Sequence, residues 1–190
     1  MRLPLLTFAA TLLVACASTT PPPAPVAEPA PPPAMAPPTG VAAAMGNVAA
    51  ALAAPGRTDA DRERDGRDHP AEVLALAGFG EGMTIADVFG GGGYYSEILS
   101  HVVGPRGHVR LVNNVQYDNY AKKTLEPRLA GGRLANVEYT VTPPDAMNLG
   151  TNTLDGALIV MSYHDLYVAD ADWPAIDAHG FIQQIVAALK

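Results

Sequence analysis

The sequence predicts a three-layer α/β domain with a mostly parallel sheet, preceded by an N-terminal segment outside the fold. Three observations lead to this prediction. Short apolar segments alternate with helical patterns along residues 70–190, and four consecutive glycines separate the first apolar segment from the helix after it. The first forty residues lack this alternation. Strands that alternate with helices form βαβ units, and such units build a parallel sheet.

Residues 1–15 have the features of a signal peptide. Arg2 supplies a positive charge, and the run from Leu3 to Ala15 is apolar but too short to remain as a membrane-spanning helix. The tetrad Leu13-Val14-Ala15-Cys16 resembles the lipobox at which bacteria attach a diacylglycerol group and cleave before the cysteine. We therefore expect Cys16 to become the lipidated first residue of an exported, membrane-anchored protein. The alternative is that Cys16 is an apolar residue in a signal cleaved nearby.

The residues that follow Cys16 indicate the cellular compartment of the protein and the extent of its linker. Ala17, which stands where an aspartate would retain the protein at the inner membrane, resembles the outer-membrane address of Gram-negative lipoproteins, facing the periplasm. Cys16 is the only cysteine, so no internal disulfide forms. Ten of the eighteen residues in Pro21–Pro38 are proline, which predicts an extended spacer. Residues 41–55 fit a short apolar helix or more linker, and we favour linker.

We therefore divide the chain into a signal peptide (1–15), a lipid-anchored Pro/Ala-rich linker (16–56) and a folded domain (57–190). The domain is long enough for one core. The formal net charge is −7 and the twelve basic residues are not clustered, which excludes a nucleic-acid partner. The five histidines show no metal-ligand spacing, so we expect no metal. A serine hydrolase is excluded because the G-x-S-x-G nucleophile elbow is missing.

Helices and strands alternate through the domain. Pro70–Ala77 is an amphipathic helix whose first turn suits proline and which Gly78 stops. Thr84–Phe89 is a short apolar strand, and the helix Tyr94–Val103 follows the glycines. Leu154–Met161 is a continuous apolar run, as expected for a strand buried on both faces. The remaining elements are strands at His108–Asn113 and Asn136–Val141 and helices at Tyr117–Leu129 and Ala178–Lys190.

Two groups of side chains allow two interpretations each. The arginines of the stretch Asp59–Asp68 alternate with acids, which indicates a solvated charged surface; a clamp for a substrate carboxylate is the alternative. Tyr94 and Tyr95 either form a wall of a ligand pocket or pack against the first turn of their own helix.

The glycines lie where a ligand would bind. In a parallel sheet the ligand site is at the carboxyl ends of the strands, beside the first strand. Four glycines remove every Cβ over the next helix N-terminus, so a ligand could contact backbone N–H groups; a tight turn alone is the other interpretation. The dinucleotide fingerprint is not met, because its third glycine falls on Tyr95 or Ser96, and this disfavours a nicotinamide cofactor.

The stretch Leu74–Ser96, with Gly82-Met-Thr-Ile-Ala-Asp87 leading into the glycines, is similar to motif I of class I S-adenosylmethionine-dependent methyltransferases. The chain resembles in particular a bacterial, often exported group of predicted methyltransferases, from about residue 67 to residue 190. Leu154–Ile159 resembles the motif IV strand, and Phe181–Lys190 resembles the helix that precedes a Pro-Gly-Gly turn. The resemblance implies a Rossmann-like αβα fold and S-adenosylmethionine as cofactor.

The resemblance also assigns cofactor contacts. It places Asp87 and the four glycines Gly90, Gly91, Gly92 and Gly93 around the methionine portion of the cofactor. Asn113 falls where the family usually has an acid that binds the ribose hydroxyls, and an asparagine lacks that charge. Asp145 lies two positions after Pro143, which occupies the usual place of an acid near the adenine. Phe89 stands where motif I often has glycine.

Tyr163, His164 and Asp165 follow the motif IV strand, where the family places the methyl acceptor. His164 could accept a proton from an acceptor oxygen or nitrogen while Asp165 orients its ring. Alternatively, His164 bonds a loop carbonyl and Asp165 caps the next segment. The expected function is methyl transfer to a small-molecule acceptor. The alternative is a non-catalytic binding or assembly lipoprotein on a degenerate methyltransferase scaffold.

The class I sheet that the sequence resembles has seven strands in the order 3-2-1-4-5-7-6, and this chain supplies four. The strand Leu154–Met161 would then be an open edge, which favours association with another strand. We expect that the natural protein continues beyond Lys190 and that this chain is C-terminally truncated. The alternative is that a second copy of the chain, or another partner, covers this open edge.

Overall fold

The computed structural model describes residues 47–190, which form a four-stranded, all-parallel sheet with helices packed on it. The strands run in the order β3-β2-β1-β4. This confirms the predicted αβα class and strand order. The strands are β1 (Thr84–Val88), β2 (His108–Asn113), β3 (Val137–Val141) and β4 (Gly156–Leu158). The predicted signal peptide, Cys16 and the proline-rich spacer lie outside the described residues.

Six helical segments accompany the sheet, and among residues 47–190 none is long and apolar enough to cross a membrane. They are α1 (47–52), α2 (Asp59–Asp68), α3 (Pro70–Ala77), α4 (Tyr94–Val103), α5 (Val115–Leu129) and α6 (Ala178–Ala188). A 3-10 helix, Tyr163–Tyr167, lies between β4 and α6. The predicted bounds of α3, α4 and β2 are confirmed.

The charged stretch Asp59–Asp68 is a helix, which the alternation of charges did not predict. Its first turn is fixed by a capping box, in which the Thr58 hydroxyl accepts from the Asp61 N–H at 3.1 Å and the Asp61 carboxylate accepts from the Thr58 N–H at 3.0 Å. His69, with φ 47°, separates this helix from α3, and Gly78 ends α3 with φ 69°.

The sequence favours a linker over residues 47–54, and the structure shows a helix there instead. Residues 47–52 are helical, and Val48 and Ala51 are buried in the same core as Leu74 and Val109. Alanine has the highest helix propensity, so this Ala-rich stretch forms a helix whose apolar side packs on the domain. The packed part of the chain therefore begins before Arg57.

The sheet separates two cores, and β1 contributes to both because its side chains alternate. Ile85 packs with Leu74 and Ile98 of α3 and α4, whereas Ala86 packs with Phe181 of α6. The sheet is therefore buried on both faces around β1, as a parallel sheet requires.

β4 is shorter than predicted. Only Gly156–Leu158 pairs with β1, and Leu154 forms a separate bridge with Leu189. Leu158 and Ile159 pack on opposite cores, but Met161, with φ 59°, is 78% exposed. The edge position explains the difference, since within residues 47–190 β4 has a partner strand on one side only.

Candidate functional site

The glycine turn begins with an unusual residue conformation. Phe89 has φ 54°, in the left-handed region that residues other than glycine rarely adopt. Its ring is 3% exposed and lies 4.9 Å from the ring of Tyr117 and 5.0 Å from that of Phe181. Phe89 thus keeps the backbone of a glycine at the position where motif I often has one, and aromatic packing offsets the strain.

Three of the four glycines lie close against other parts of the chain. A Cβ atom at Gly90 would overlap the Asp87 carboxylate, one at Gly92 would overlap the Thr124 hydroxyl, and one at Gly93 would lie 3.1 Å from Leu125. Gly91 differs, because its Cβ position is 3.7 Å from the nearest atom of the Tyr117 ring. The space predicted for a ligand is therefore filled by protein at Gly90, Gly92 and Gly93.

Asn113 makes a reciprocal pair of hydrogen bonds with Gly91. Its Oδ1 accepts from the Gly91 N–H at 3.0 Å, and its Nδ2 donates to the Gly91 carbonyl at 3.0 Å. The residue is 0% exposed. A carboxylate could not form this pair, since it has no N–H to donate. The structure thus gives Asn113 a contact with the turn in place of the ribose contact that the resemblance implies.

Asp87 lies beneath the turn and is 1% exposed. Its Oδ2 accepts from the Ser96 hydroxyl in the first turn of α4 at 2.7 Å. Burial raises the pKa of Asp87 to about 6, against the opposing effect of the Ser96 hydrogen bonds. In this structure Asp87 ties β1 to α4 and does not face open space.

Arg128 of α5 fixes the turn from the other side. Its Nε donates to the Gly92 carbonyl at 2.8 Å, and its guanidinium pairs with Asp61 at 2.8 Å and with Glu97. Glu97 is fully buried and also pairs with Arg133 at 2.6 Å. Burial opposes ionisation of Asp61, but hydrogen bonds from Arg128 and Thr58 outweigh it and lower its pKa to about 2. The sequence pattern does not reveal this cluster; the only signal is Glu97 within a helix whose other spacing is apolar.

Tyr94 and Tyr95 are buried at the start of α4 and contact α2, which favours a packing role over the wall of a ligand pocket. Both are 4% exposed, their rings are perpendicular at 5.1 Å, and the Tyr94 hydroxyl donates to Asp65 at 2.6 Å. The guanidinium of Arg64 lies 4.0 Å from the centre of the Tyr94 ring and pairs with Asp68 at 2.6 Å. Arg64 is thereby committed to intramolecular contacts, which favours the charged-surface interpretation over a substrate clamp.

A cleft of about 640 Å³ lies between the segments that follow β2 and β3 and the start of α6, and none of the four turn glycines lines it. Asp145 is exposed on this cleft beside Pro143, whereas Asn113 is buried and does not line it. Gln184 fixes the rim, since its Nε2 donates to the Pro144 carbonyl at 2.9 Å and its Oε1 accepts from the Met147 N–H at 2.9 Å. The helical pattern alone did not identify Gln184 as a site residue.

The structure brings His164 and Asp165 together. The His164 Nε2 lies 3.2 Å from the Asp165 Oδ1, and the Tyr117 hydroxyl donates to the Asp165 Oδ2 at 2.5 Å. Burial, with the Asp165 hydrogen bond, raises the pKa of Tyr117, which keeps it a donor. The His164 side chain is 70% exposed and therefore accessible to an acceptor. Tyr163 lies apart, with its hydroxyl 3.0 Å from that of Tyr167.

This arrangement has the parts of a general base. Asp165 can orient the His164 ring, and Tyr117 fixes Asp165. Within residues 47–190, no three histidine or acidic side chains converge as a metal site requires.

The chain is similar to several solved structures of methyltransferases. It is 28% identical to an S-adenosylmethionine-dependent methyltransferase from Aquifex aeolicus, covering 64% of this chain and 58% of that one, with a TM-score of 0.51. An arsenic(III) S-adenosylmethionine methyltransferase from Chlamydomonas reinhardtii is 14% identical, over 81% of this chain and 46% of that one, with a TM-score of 0.45. A protein-L-isoaspartate O-methyltransferase is 24% identical, over 46% and 27%, with a TM-score of 0.37.

No family model matches the sequence, and no curated protein does. The chain spans 58% of the length of the Aquifex aeolicus protein. The fold of the chain is that of the class I methyltransferases. The similarity to the Aquifex aeolicus protein points to S-adenosylmethionine-dependent methyl transfer as the activity to test.

Proposed function

We propose that this protein binds S-adenosylmethionine in the cleft between the segments that follow β2 and β3 and the start of α6, and that it transfers the methyl group to a small-molecule acceptor. The observation that supports this best is the similarity to the Aquifex aeolicus methyltransferase, on a chain whose sheet order, glycine turn and cleft at the carboxyl edge agree with such a fold. Fold alone would not suffice.

The residues of the cleft fit the adenosyl part of this cofactor. The volume of about 640 Å³ is within the range of ligand pockets. Val115, Pro143 and Phe181 offer apolar walls, and the exposed Asp145 carboxylate can accept from an amino or hydroxyl group. Gly91 is the glycine of the turn where an added Cβ would make only an ordinary contact, 3.7 Å from the Tyr117 ring.

When bound, the cofactor supplies an electrophilic methyl group on a sulfonium. The chain contributes binding and orientation, which bring acceptor and methyl group together. His164 takes the proton that the acceptor loses, through the ring nitrogen that does not face Asp165. Asp165 stabilises the imidazolium that results, and the Tyr117 hydroxyl keeps Asp165 in place.

Calorimetric titration tests the binding step. We expect wild-type protein to bind S-adenosylmethionine and its demethylated product, S-adenosylhomocysteine. Asp145→Ala should weaken both by about tenfold through loss of a charge-assisted hydrogen bond. Glu63→Ala, which removes an exposed acid on α2, is the matched control and should not change affinity. Folded wild-type protein that binds neither ligand would refute the proposal.

A second candidate is a binding or assembly protein on the same scaffold without methyl transfer. Two observations favour it: the Asn113 amide is committed to Gly91, and Phe89 replaces a motif glycine. This candidate predicts a folded protein in which neither S-adenosylmethionine nor its product gives a binding isotherm.

We also propose that the protein is exported and carries lipid on Cys16. The support is the Leu-Val-Ala-Cys tetrad, the apolar run before it and the absence of any other cysteine. Mass spectrometry of the mature N-terminus tests this, with a diacylglyceryl group on Cys16 as the expected result. An unmodified chain that begins elsewhere, or unchanged membrane fractionation of Cys16→Ser, contradicts it.

A further inference from the structure

We propose that a second pocket, between α5 and the loop before α6, binds an organic cation of the alkylammonium type. This pocket has a volume of about 630 Å³ and is here called the α5 pocket. Its walls consist of aromatic, amide and acidic side chains. They are Gln116, Tyr117, Asn119, Tyr120, Asp170, Asp172 and Trp173.

The aromatic rings form a corner. The rings of Tyr117 and Trp173 are 5.5 Å apart and inclined by 76°, so they present two adjoining walls. Tyr120 lies one helical turn after Tyr117 on α5 and is 88% exposed. The faces of aromatic rings carry partial negative charge and attract cations, and several rings around one site recognise methylated ammonium groups.

The corner is fixed in place before any ligand arrives. Tyr117 stacks on Phe89 at 4.9 Å and donates to the Asp165 carboxylate, while the Trp173 Nε1 donates to the Asp165 carbonyl at 2.9 Å. The Asp170 carboxylate accepts the N–H groups of Asp172 and Trp173 at 2.9 and 2.8 Å, which fixes the loop. A ligand would therefore lose little affinity to ordering these rings.

The charge of the α5 pocket selects the ligand. Asp170 and Asp172 line it, and among its described lining residues there is no lysine, arginine or histidine. The chain as a whole is also negative, at −7. A phosphate or carboxylate would be repelled, and a neutral ring would gain nothing from the acids. A cation gains from both the acids and the rings.

The position of the α5 pocket suggests that the cation is the methyl acceptor. Gln116 lines both this pocket and the cleft, so the two adjoin. A protonated tertiary amine would give its proton to His164. Its freed electron pair would form the new N–CH₃ bond as the S–CH₃ bond breaks, with the electron pair of that bond staying on sulfur, and the product would be a quaternary ammonium. This assignment rests on the proposed function, whereas cation binding does not.

Trp173 is the only tryptophan in the chain, so its fluorescence reports directly on the α5 pocket. The test is a titration of the full protein with choline chloride and with 3,3-dimethylbutan-1-ol, an uncharged analogue of the same shape, at constant ionic strength. We expect choline to change Trp173 emission and to bind at least about tenfold more tightly than the alcohol. Equal affinity for both, or no response to choline, would overturn the proposal.

Substitutions of exposed residues in the α5 pocket test whether the cation binds there. Tyr120→Leu and Asp172→Asn should each weaken choline binding by about fivefold, and both side chains are exposed, so folding is not at risk. Tyr167→Leu changes a 67% exposed tyrosine outside the pocket and should bind choline as wild type does. Wild-type affinity in both pocket variants would overturn the proposal.

The cation-site proposal and the methyltransferase proposal can be refuted independently of each other. A choline response without calorimetric binding of S-adenosylmethionine would support the cation site and remove the methyl-acceptor role. Binding of S-adenosylmethionine without a choline response would overturn the cation site and support the proposed function.

Discussion

The glycine turn and the loops in front of it occupy the same carboxyl edge of the sheet but differ in how their polar groups are used. Around the turn, Asp87, Asn113 and Arg128 are all bonded to the chain itself. In front of it, the side chains of Asp145 and His164 are exposed. A group committed to the protein interior is not free to bind a ligand, so we place the proposed chemistry in the loops, with the turn as their support.

The largest expected effect on stability is that of Arg128→Met. The substitution leaves the buried Asp61 with hydrogen bonds from Thr58 alone and the buried Glu97 with Arg133 alone, and it removes the bond to the Gly92 carbonyl. We expect the free energy of unfolding to fall by about 4 kcal/mol, measured by urea denaturation. The control is Arg106→Met, whose 76% exposed side chain pairs with Glu81 on the surface and should cost at most about 1 kcal/mol. Similar losses in both variants would contradict the supporting role of Arg128.

Asn113→Asp should destabilise the protein by about 3 kcal/mol, because it buries a charge and places it against the Gly91 carbonyl that Asn113 now donates to. Asn148→Asp, on the exposed segment after β3, is the matched control and should be close to neutral. An Asn113→Asp variant of wild-type stability that binds S-adenosylmethionine more tightly would restore the ribose contact implied by the resemblance.

Asp87 makes stability depend on pH. Its pKa is about 6 in the fold and 3.8 ordinarily, so the folded state binds the proton more tightly. Its contribution is therefore present below about pH 4 and is lost as the pH rises through 6, by up to about 3 kcal/mol. Asp87→Asn should abolish this pH-dependent loss of stability, which urea denaturation between pH 4 and pH 7 measures.

Asp155 provides a control of opposite sign for Asp87. The Thr84 N–H and Lys190 lower the pKa of Asp155, so its stabilisation is present at neutral pH and is lost as the pH falls through that lowered pKa. Asp155→Asn should therefore weaken the fold at pH 7, where Asp87→Asn does not. If Asp87→Asn leaves the pH profile unchanged, the carboxyl is not buried as described.

His164→Ala should have the smallest effect on stability and a large one on activity. The 70% exposed side chain leaves the free energy of unfolding within about 0.5 kcal/mol of wild type. Turnover on an oxygen or nitrogen acceptor should fall by about a hundredfold, the scale of a lost general base. Full activity with normal cofactor binding would return His164 to a loop-stabilising role.

The periodicity of the sequence was sufficient to predict most of the fold. Proline and glycine mark the ends of Pro70–Ala77, and apolar spacing marks Tyr94–Val103 and His108–Asn113, so their bounds agree with the structure. The helix Asp59–Asp68 has no apolar stripe, and its buried Asp61 depends on Arg128, 67 positions away. Such a pairing cannot be read from local pattern.

The sequence places the candidate site at the carboxyl edge of the sheet but does not specify its contacts. The edge of the sheet follows from the strand order, and His164 and Asp165 are adjacent in sequence. The direction of the Asn113 amide is set by Gly91, which only the folded turn brings close. Trp173 is held at the α5 pocket by the hydrogen bond from its Nε1 to the Asp165 carbonyl. The loop that carries Trp173 has no regular sequence pattern from which this contact could be predicted.

The most direct test is a nuclear magnetic resonance titration of the ¹⁵N-labelled protein with S-adenosylhomocysteine, because it reports each backbone N–H separately. If the loops form the site, the largest shifts will fall on residues 114–117, 145–147 and 175–184, with Gly91 as the affected glycine of the turn. Shifts confined to Gly90, Gly92 and Gly93, or to the α2 side of the domain, with none in the cleft, would contradict the account.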